Sequence, residues 1–265
     1  MRIAMAVEYN GRQYAGWQRQ KHSASIQEAV ETALAKVADH DLTVHCAGRT
    51  DAGVHALQQV IHFDSGVERP NKAWVYGGNS HLPPDIRFLW AVPVDNAFDA
   101  RRSAVARQYR YLLLNRKVQP GIQHQHLTWY LRPLDEKIMA EAATVLIGEH
   151  DFSAFRGSGC QSKSPMRRVD RMTVTRYGDI VAIEVVANAF LLHMVRNIVG
   201  VLTAVGCGDH LPVWVRQVLE SKDRRVAGVT APAAGLSLLR VYYPQDYSFP
   251  DSQTPFVVLG GGGED

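Results

Sequence analysis

The sequence predicts an α+β fold made of two successive β-α-β-β-α-β passes. Three observations carry this. Short apolar runs read as strands, helical segments with one apolar face fall between them, and the same element order returns after about residue 105.

In the first pass, Ile3 to Tyr9 reads as a strand. Ser25-x-x-Glu28 is a capping box, and Ile26, Ala29, Val30, Ala33, Leu34 and Val37 behind it repeat at the spacing of one buried helical face. Thr43 to Cys46 and Gln59 to Phe63 read as strands on either side of a glycine-framed loop. A helix over Asn71 to Ser80 is weakened by Gly77 and Gly78, and Ile86 to Val94 closes the pass as a strand. The second pass opens with a strand over Gln108 to Leu114. A helix follows over Asp135 to Ile147, with Ile138, Ala142, Val145 and Leu146 expected inward. Val169 to Arg176 and Ile180 to Ala187 form a hairpin across Tyr177-Gly178-Asp179. Phe190 to Val205 is a long helix, Pro212 to Glu220 an extra one with proline at its start, and Leu236 to Tyr243 a closing strand. This order suggests two ferredoxin-like units with antiparallel sheets backed by helices: residues 1–105, carrying the glycine-framed loop, and 106–245. No residue-level repeat accompanies it, so duplication rests on order alone. Residues 246–265, rich in Pro, Ser and Gly, are expected to be a loosely ordered tail.

Composition sets bounds. The 265 residues carry a net charge of only +3 and are 46% hydrophobic and 21% charged, as in ordinary soluble proteins. The distribution says more. Arg101 to Lys117 contains six basic residues and no acid, and Arg156 to Arg171 contains five against Asp170. Two such clusters can present a local positive field to a polyanion, or simply be solvated faces. Cys46, Cys160 and Cys207 are far apart and in no C-x-x-C pairing, which argues against a disulfide framework or zinc site and fits a reducing cytoplasm. The apolar run at the N-terminus is too short for a secretory signal, and Phe190 to Val205 contains His193, Arg196 and Asn197, a poor membrane span. Nothing nearby completes a metal site around His124-Gln125-His126.

Gly48-Arg49-Thr50-Asp51-Ala52-Gly53-Val54-His55 places one carboxylate beside an arginine and between glycines. Glycine tolerates backbone angles that let a tight bend aim a short acid outward. An adjacent guanidinium would keep that acid ionised, since opposite charge a few ångströms away lowers a carboxylate pKa by ~1–3 units. A loop aspartate that only caps a turn is the plainer alternative. Three other places stand beside it. In Arg107-Gln108-Tyr109-Arg110-Tyr111, strand alternation puts the tyrosines on one face, where an aromatic could stack on an unpaired base or simply join the core. His193, Arg196 and Asn197, at i, i+3 and i+4, would form one polar patch on an otherwise apolar helix, with Arg196 needing a carboxylate such as Asp51 or another acid. The loop from Asn10 to Lys21 has glycines, amides and bases suited to phosphates and base edges, or to a mobile connection.

With Gly16-Trp17-Gln18-Arg19-Gln20, Asn188-Ala189-Phe190, His193 through Gly200 and Ala231-Pro232-Ala233-Ala234-Gly235-Leu236, these strings resemble the tRNA pseudouridine synthases that act on the anticodon stem-loop. The resemblance spans about residues 3 to 244 in the family's order and leaves the last twenty or so without a role. It implies isomerisation of uridine to pseudouridine in tRNA with no cofactor or metal, in a cytoplasmic homodimer whose basic clusters combine into grooves for tRNA. It makes Asp51 the catalytic aspartate, Tyr109 the tyrosine that stacks on the target base, Arg196 the arginine that pairs with the aspartate, and Arg49 the one that helps displace the nucleotide. Arg12, Arg19, Lys21, His193, Arg107, Arg110, Arg167 and Arg168 are expected to bind RNA. Two competing readings are a non-catalytic RNA-binding module and a carboxylate glycoside hydrolase. The latter wants two acids flanking the bond, and only one stands out.

Overall fold

The computed structural model describes residues 1–250. Along the chain run β1 (Arg2–Tyr9), α1 (Ile26–Ala38), β2 (His45–Cys46), β3 (His55–Asp64), α2 (Gly78–His81), β4 (Ile86–Val94), β5 (Ala106–Asn115) and β6 (Thr128–Tyr130). There follow α3 (Glu136–Ala143), β7 (Gly148–Asp151), β8 (Met166–Tyr177), β9 (Ile180–Ala187), α4 (Met194–Gly206), α5 (Val213–Ser221) and β10 (Leu236–Tyr242). The architecture is mixed α and β, in two compact units. Residues 1–107 with 237–250 form the first, and 108–236 the second. The closing strand, expected in the second unit, groups by its contacts with the first, where Ser237 and Leu238 run parallel to His55 and Ala56.

In the first unit the strand order is β4-β1-β3, with β1 antiparallel to both neighbours and β2 antiparallel to β3. The capping box forms as expected: Ser25 Oγ accepts from the Glu28 N–H at 3.4 Å. Ile26, Val30, Ala33 and Leu34 of α1 are fully buried. Strand β2 is shorter than the sequence suggests, because the Val44 N–H donates to Glu31 Oε1 (3.1 Å) instead of to a strand. Strand β3 is longer, starting at His55. Its residues from Gln58 to Phe63 are buried on both faces, so the alternation that marks a half-exposed strand is absent. The helix expected after residue 70 is a wide π-turn, Ala73–Gly77, running into α2; Gly78 is needed there because a Cβ would strike the Phe88 ring. The first residues of the expected tail are not loose. Phe249 stacks on Trp90 at 5.0 Å and meets Phe98 edge-on at 5.4 Å, while Tyr247 lies against Phe98 at 4.9 Å. The rest of the expected tail, 251–265, lies outside the described residues.

In the second unit the order is β5-β9-β8-β7, with β6 parallel to β5. The β8–β9 hairpin turns as expected, with Gly178 at φ 55° between the paired Tyr177 and Ile180. Helix α3 is shorter than expected and faces differently. Ile138 is 37% exposed, whereas Met139 is buried against Gly206 of α4, where a Cβ would collide with its sulfur. Helix α4 starts at Met194 rather than Phe190, and Pro212 caps α5 instead of occupying its first turn. Strands β6 and β7, of 3 and 4 residues, are too short to leave a pattern in the sequence.

One buried base in the first unit has a pH consequence. His62 is 3% exposed, stacks on His45 (5.0 Å) and accepts the Ala100 N–H on Nδ1 at 3.0 Å. Burial pushes its pKa below the ordinary 6.5; Asp99 and Asp64 oppose this, while His45 and Arg2 add to it. Below that value the unfolded chain binds a proton that the folded one refuses, so stability is full above it and is lost as pH falls. The melting temperature should therefore drop between about pH 7.5 and 5.5. His62→Asn keeps an acceptor for Ala100 but cannot titrate, so its melting temperature should fall less; an equal fall would show that His62 is not the group responsible.

Candidate active site

Asp51 opens a four-residue turn in the first unit. The Val54 N–H returns to the Asp51 carbonyl at 3.2 Å, and Gly53, third in the turn, has φ 77°, the value a type II turn demands there. Asp51 is half-buried and Arg49 exposed, while Thr50 between them is buried.

Four attachments hold the turn. The Thr50 hydroxyl bonds the Tyr9 hydroxyl at the end of β1 (2.8 Å), and the Thr50 carbonyl accepts the Trp17 N–H (3.0 Å). The Gly53 N–H donates to Tyr14 O (3.3 Å), and the Gly11 N–H donates to His55 Nδ1 (3.1 Å). Before the turn, Gln59 grips Gly48 with both ends of its amide, at 2.6 and 3.3 Å. Two glycines make this closeness possible. Gly16, at φ 99°, lies where a Cβ would come within 2.7 Å of Thr50 O, and at Gly11 a Cβ would overlap the Val54 carbonyl. The segment from Asn10 to Trp17 is therefore a clamp on the aspartate turn rather than a mobile connection. Gly11, Gly16 and Trp17 are buried, and Arg12 is exposed. Beyond it, Lys21 is exposed, and Arg19 pairs with Glu28 and Glu31, both at 3.3 Å.

In the second unit, Tyr109 and Tyr111 are both buried. Tyr109 is 7% exposed and meets the Phe190 ring edge-on at 4.9 Å; Tyr111 bonds Thr128 and the Pro232 carbonyl. Gln108 and Arg110 both bond Glu184, with Arg110 as close as 2.6 Å. His193 is not on the helix but caps it in the left-handed region, φ 60°, a costly conformation for a residue with a Cβ. The expected patch of His193, Arg196 and Asn197 is thereby divided. Asn197 is fully buried and structural, donating to Phe155 O and accepting from Arg224 and Thr230. Arg196 lies half-buried on the first turn, its Nε on Ala231 O at 2.8 Å and its own carbonyl accepting the Ala231 N–H at 3.1 Å. Gly200 lets the segment 229–231 approach, since a Cβ there would overlap the Val229 carbonyl.

Two of the arginines expected to bind RNA have guanidinium groups engaged within the chain. Arg107 is 8% exposed, and its guanidinium serves the carbonyls of Ala104, Ala47 and Arg101 within the first unit. Arg167 spends its guanidinium on Ser162, Ser164 and Met166, with Nε buried. Arg168 is exposed and paired with Asp170 at 2.7 Å. Sequence reading missed His55 and Gln59 as supports of the turn; the polar start of an otherwise apolar strand was the available signal. Among the described residues, no group of three or more His, Cys, Asp or Glu is placed to hold a metal ion, and no helix is long and apolar enough to cross a membrane.

Comparison with known proteins matches residues 5–101 and 142–244 to a family model described as tRNA pseudouridine synthase. A protein of Nitrosococcus oceani named tRNA pseudouridine synthase A is 51% identical over 258 residues, 97% of this chain and 100% of its own. Proteins of the same name from Coxiella burnetii and Vibrio campbellii are 52% and 51% identical, each covering 94% of this chain and 95% of the relative.

Proposed function

The chain belongs to the tRNA pseudouridine synthase family, and from that membership and the aspartate turn we propose that it isomerises uridine to pseudouridine in the anticodon stem-loop of tRNA. The bond from the ribose to the uracil nitrogen breaks, the base turns, and a bond from ribose to ring carbon 5 forms. The proton on that carbon leaves and one is gained at the nitrogen. The sum is redox-neutral, so the chemistry calls for no electron carrier.

The observation that carries this reading is the turn itself. A glycine-built clamp fixes the backbone on both sides of Asp51 and leaves the residue half-buried, two positions after an exposed arginine. Rigid placement of one carboxylate suits a group that must meet a reacting carbon or proton. In this reading Asp51 supplies the carboxylate, Tyr109 stacks on the target base, Arg49 helps displace the nucleotide and Arg196 supplies positive charge. The target uridine leaves its stack to react, at a cost of a few kcal/mol that phosphate contacts offset. Arg12, Lys21 and Arg49, all exposed, are the candidates for such contacts. Arg19, Arg110 and Arg168, each paired with an acid, would join them by exchanging a carboxylate for a phosphate. His193, at the start of α4, stays in that group. The order β4-β1-β3-β2 in the first unit supports a ferredoxin-like reading of that unit. The family resemblance supports a cytoplasmic homodimer.

Transcripts labelled with tritium at carbon 5 of uracil test the reaction, because the bond change expels that hydrogen. Label should pass to water as pseudouridine forms; tRNA bound without release of label would instead mark a non-catalytic RNA-binding module. Affinity should also fall by about 10³-fold or more between ~50 and ~200 mM salt if six or more phosphates are neutralised. A flat response would contradict a phosphate-tracking surface.

A further inference from the structure

We propose that His55 is a positioning residue for the Asp51 turn, its Nδ1 accepting the Gly11 N–H so that the clamp closes on the C-terminal side of the aspartate. The proposal rests on the reading of Asp51 as the reacting carboxylate. The turn is bonded on both sides. On the N-terminal side, the Thr50 hydroxyl and carbonyl are bonded at 2.8 and 3.0 Å. On the C-terminal side, the clamp bonds at 3.1 Å through His55 and at 3.3 Å from Gly53 to Tyr14.

His55 is 3% exposed at the first position of β3, four residues after Asp51, and Gly11 is buried with it. Gly11 can lie so close only because it has no Cβ; one would overlap the carbonyl of Val54, the last residue of the turn. Accepting an N–H on Nδ1 requires that nitrogen to be unprotonated, so the neutral ring carries its proton on Nε2. Without the acceptor, the buried Gly11 N–H loses its partner and the clamp has reason to lift. Displacement of a reacting group by about 1 Å costs roughly a hundredfold in rate.

The test compares His55→Asn, His55→Gln and His55→Leu with Asp51→Asn, measuring kcat and KM for tRNA conversion, tRNA affinity and melting temperature. Asn places its amide oxygen where Nδ1 stands, Gln places its own near Nε2, and Leu has no acceptor. His55→Leu and His55→Gln should lose roughly a hundredfold in kcat, with KM and tRNA affinity within about twofold of the parent. His55→Asn should stay within about fivefold of the parent kcat. Equal rates in His55→Asn and His55→Gln, or a parent rate in His55→Leu, would overturn the proposal. Should His55→Leu fail to fold, the Asn–Gln comparison decides alone. A parent rate in Asp51→Asn sinks the reading of the aspartate itself; a dead Asp51→Asn beside a fully active His55→Leu sinks only the role of His55.

Discussion

Asp51→Asn should lower pseudouridine formation by roughly 10³-fold or more while leaving tRNA affinity nearly unchanged. Asparagine keeps the size of the side chain and removes its charge. The turn is held by backbone and neighbouring groups: Val54 N–H to Asp51 O, Trp17 N–H to Thr50 O, Gly11 N–H to His55. None of these bonds uses the Asp51 carboxylate, so the substitution leaves them in place. Phosphate contacts, which dominate affinity for RNA, do not involve an acid either. Activity near the parent rate would return Asp51 to the role of a turn residue. A matched loss of tRNA binding would place it in recognition instead of chemistry.

Arg196→Met should lower turnover by about 10²-fold, with only a small change in melting temperature. The two effects differ because they draw on different interactions. Structurally, the Nε bond to Ala231 O is a hydrogen bond of a kind worth about 1 kcal/mol net. The backbone bond from Ala231 to the Arg196 carbonyl survives the substitution, as does the close approach at Gly200. Methionine retains most of the apolar stem, so packing along the first turn of α4 is largely kept. In the proposed reading, the fixed positive charge that Arg196 brings to the carboxylate's reaction has no such substitute. Gross unfolding of Arg196→Met would show that its role is architectural.

Much of the fold was legible because local signals agreed with packing. The Ser25–Glu28 box and the apolar face behind it form the helix that their spacing describes. Strand β4 and the Gly178 hairpin fall where apolar runs and turn residues put them. Where signals failed, a tertiary contact had taken over. Val44 left its strand for Glu31, Gly78 serves the Phe88 ring rather than breaking a helix, and Met139 replaced Ile138 inside because Gly206 opens space for it. The aspartate turn was visible as a string, but its clamp was not. Gly11, Gly16 and His55 act across some forty positions of sequence, and nothing local distinguishes a glycine that admits a carbonyl from one that bends a loop. The basic residues show the same limit. Charge alone could not separate exposed Arg12 and Arg49 from Arg107, whose guanidinium is spent on the first unit's own carbonyls.

Positional mapping of pseudouridine in unmodified tRNA transcripts incubated with the purified protein tests the central claim most directly. Conversion should appear at uridines of the anticodon arm with the parent protein, and should vanish with Asp51→Asn even where gel shifts show the transcript bound. Transcripts that bind the parent protein yet emerge with every uridine unchanged, or conversion that persists in Asp51→Asn, would contradict it.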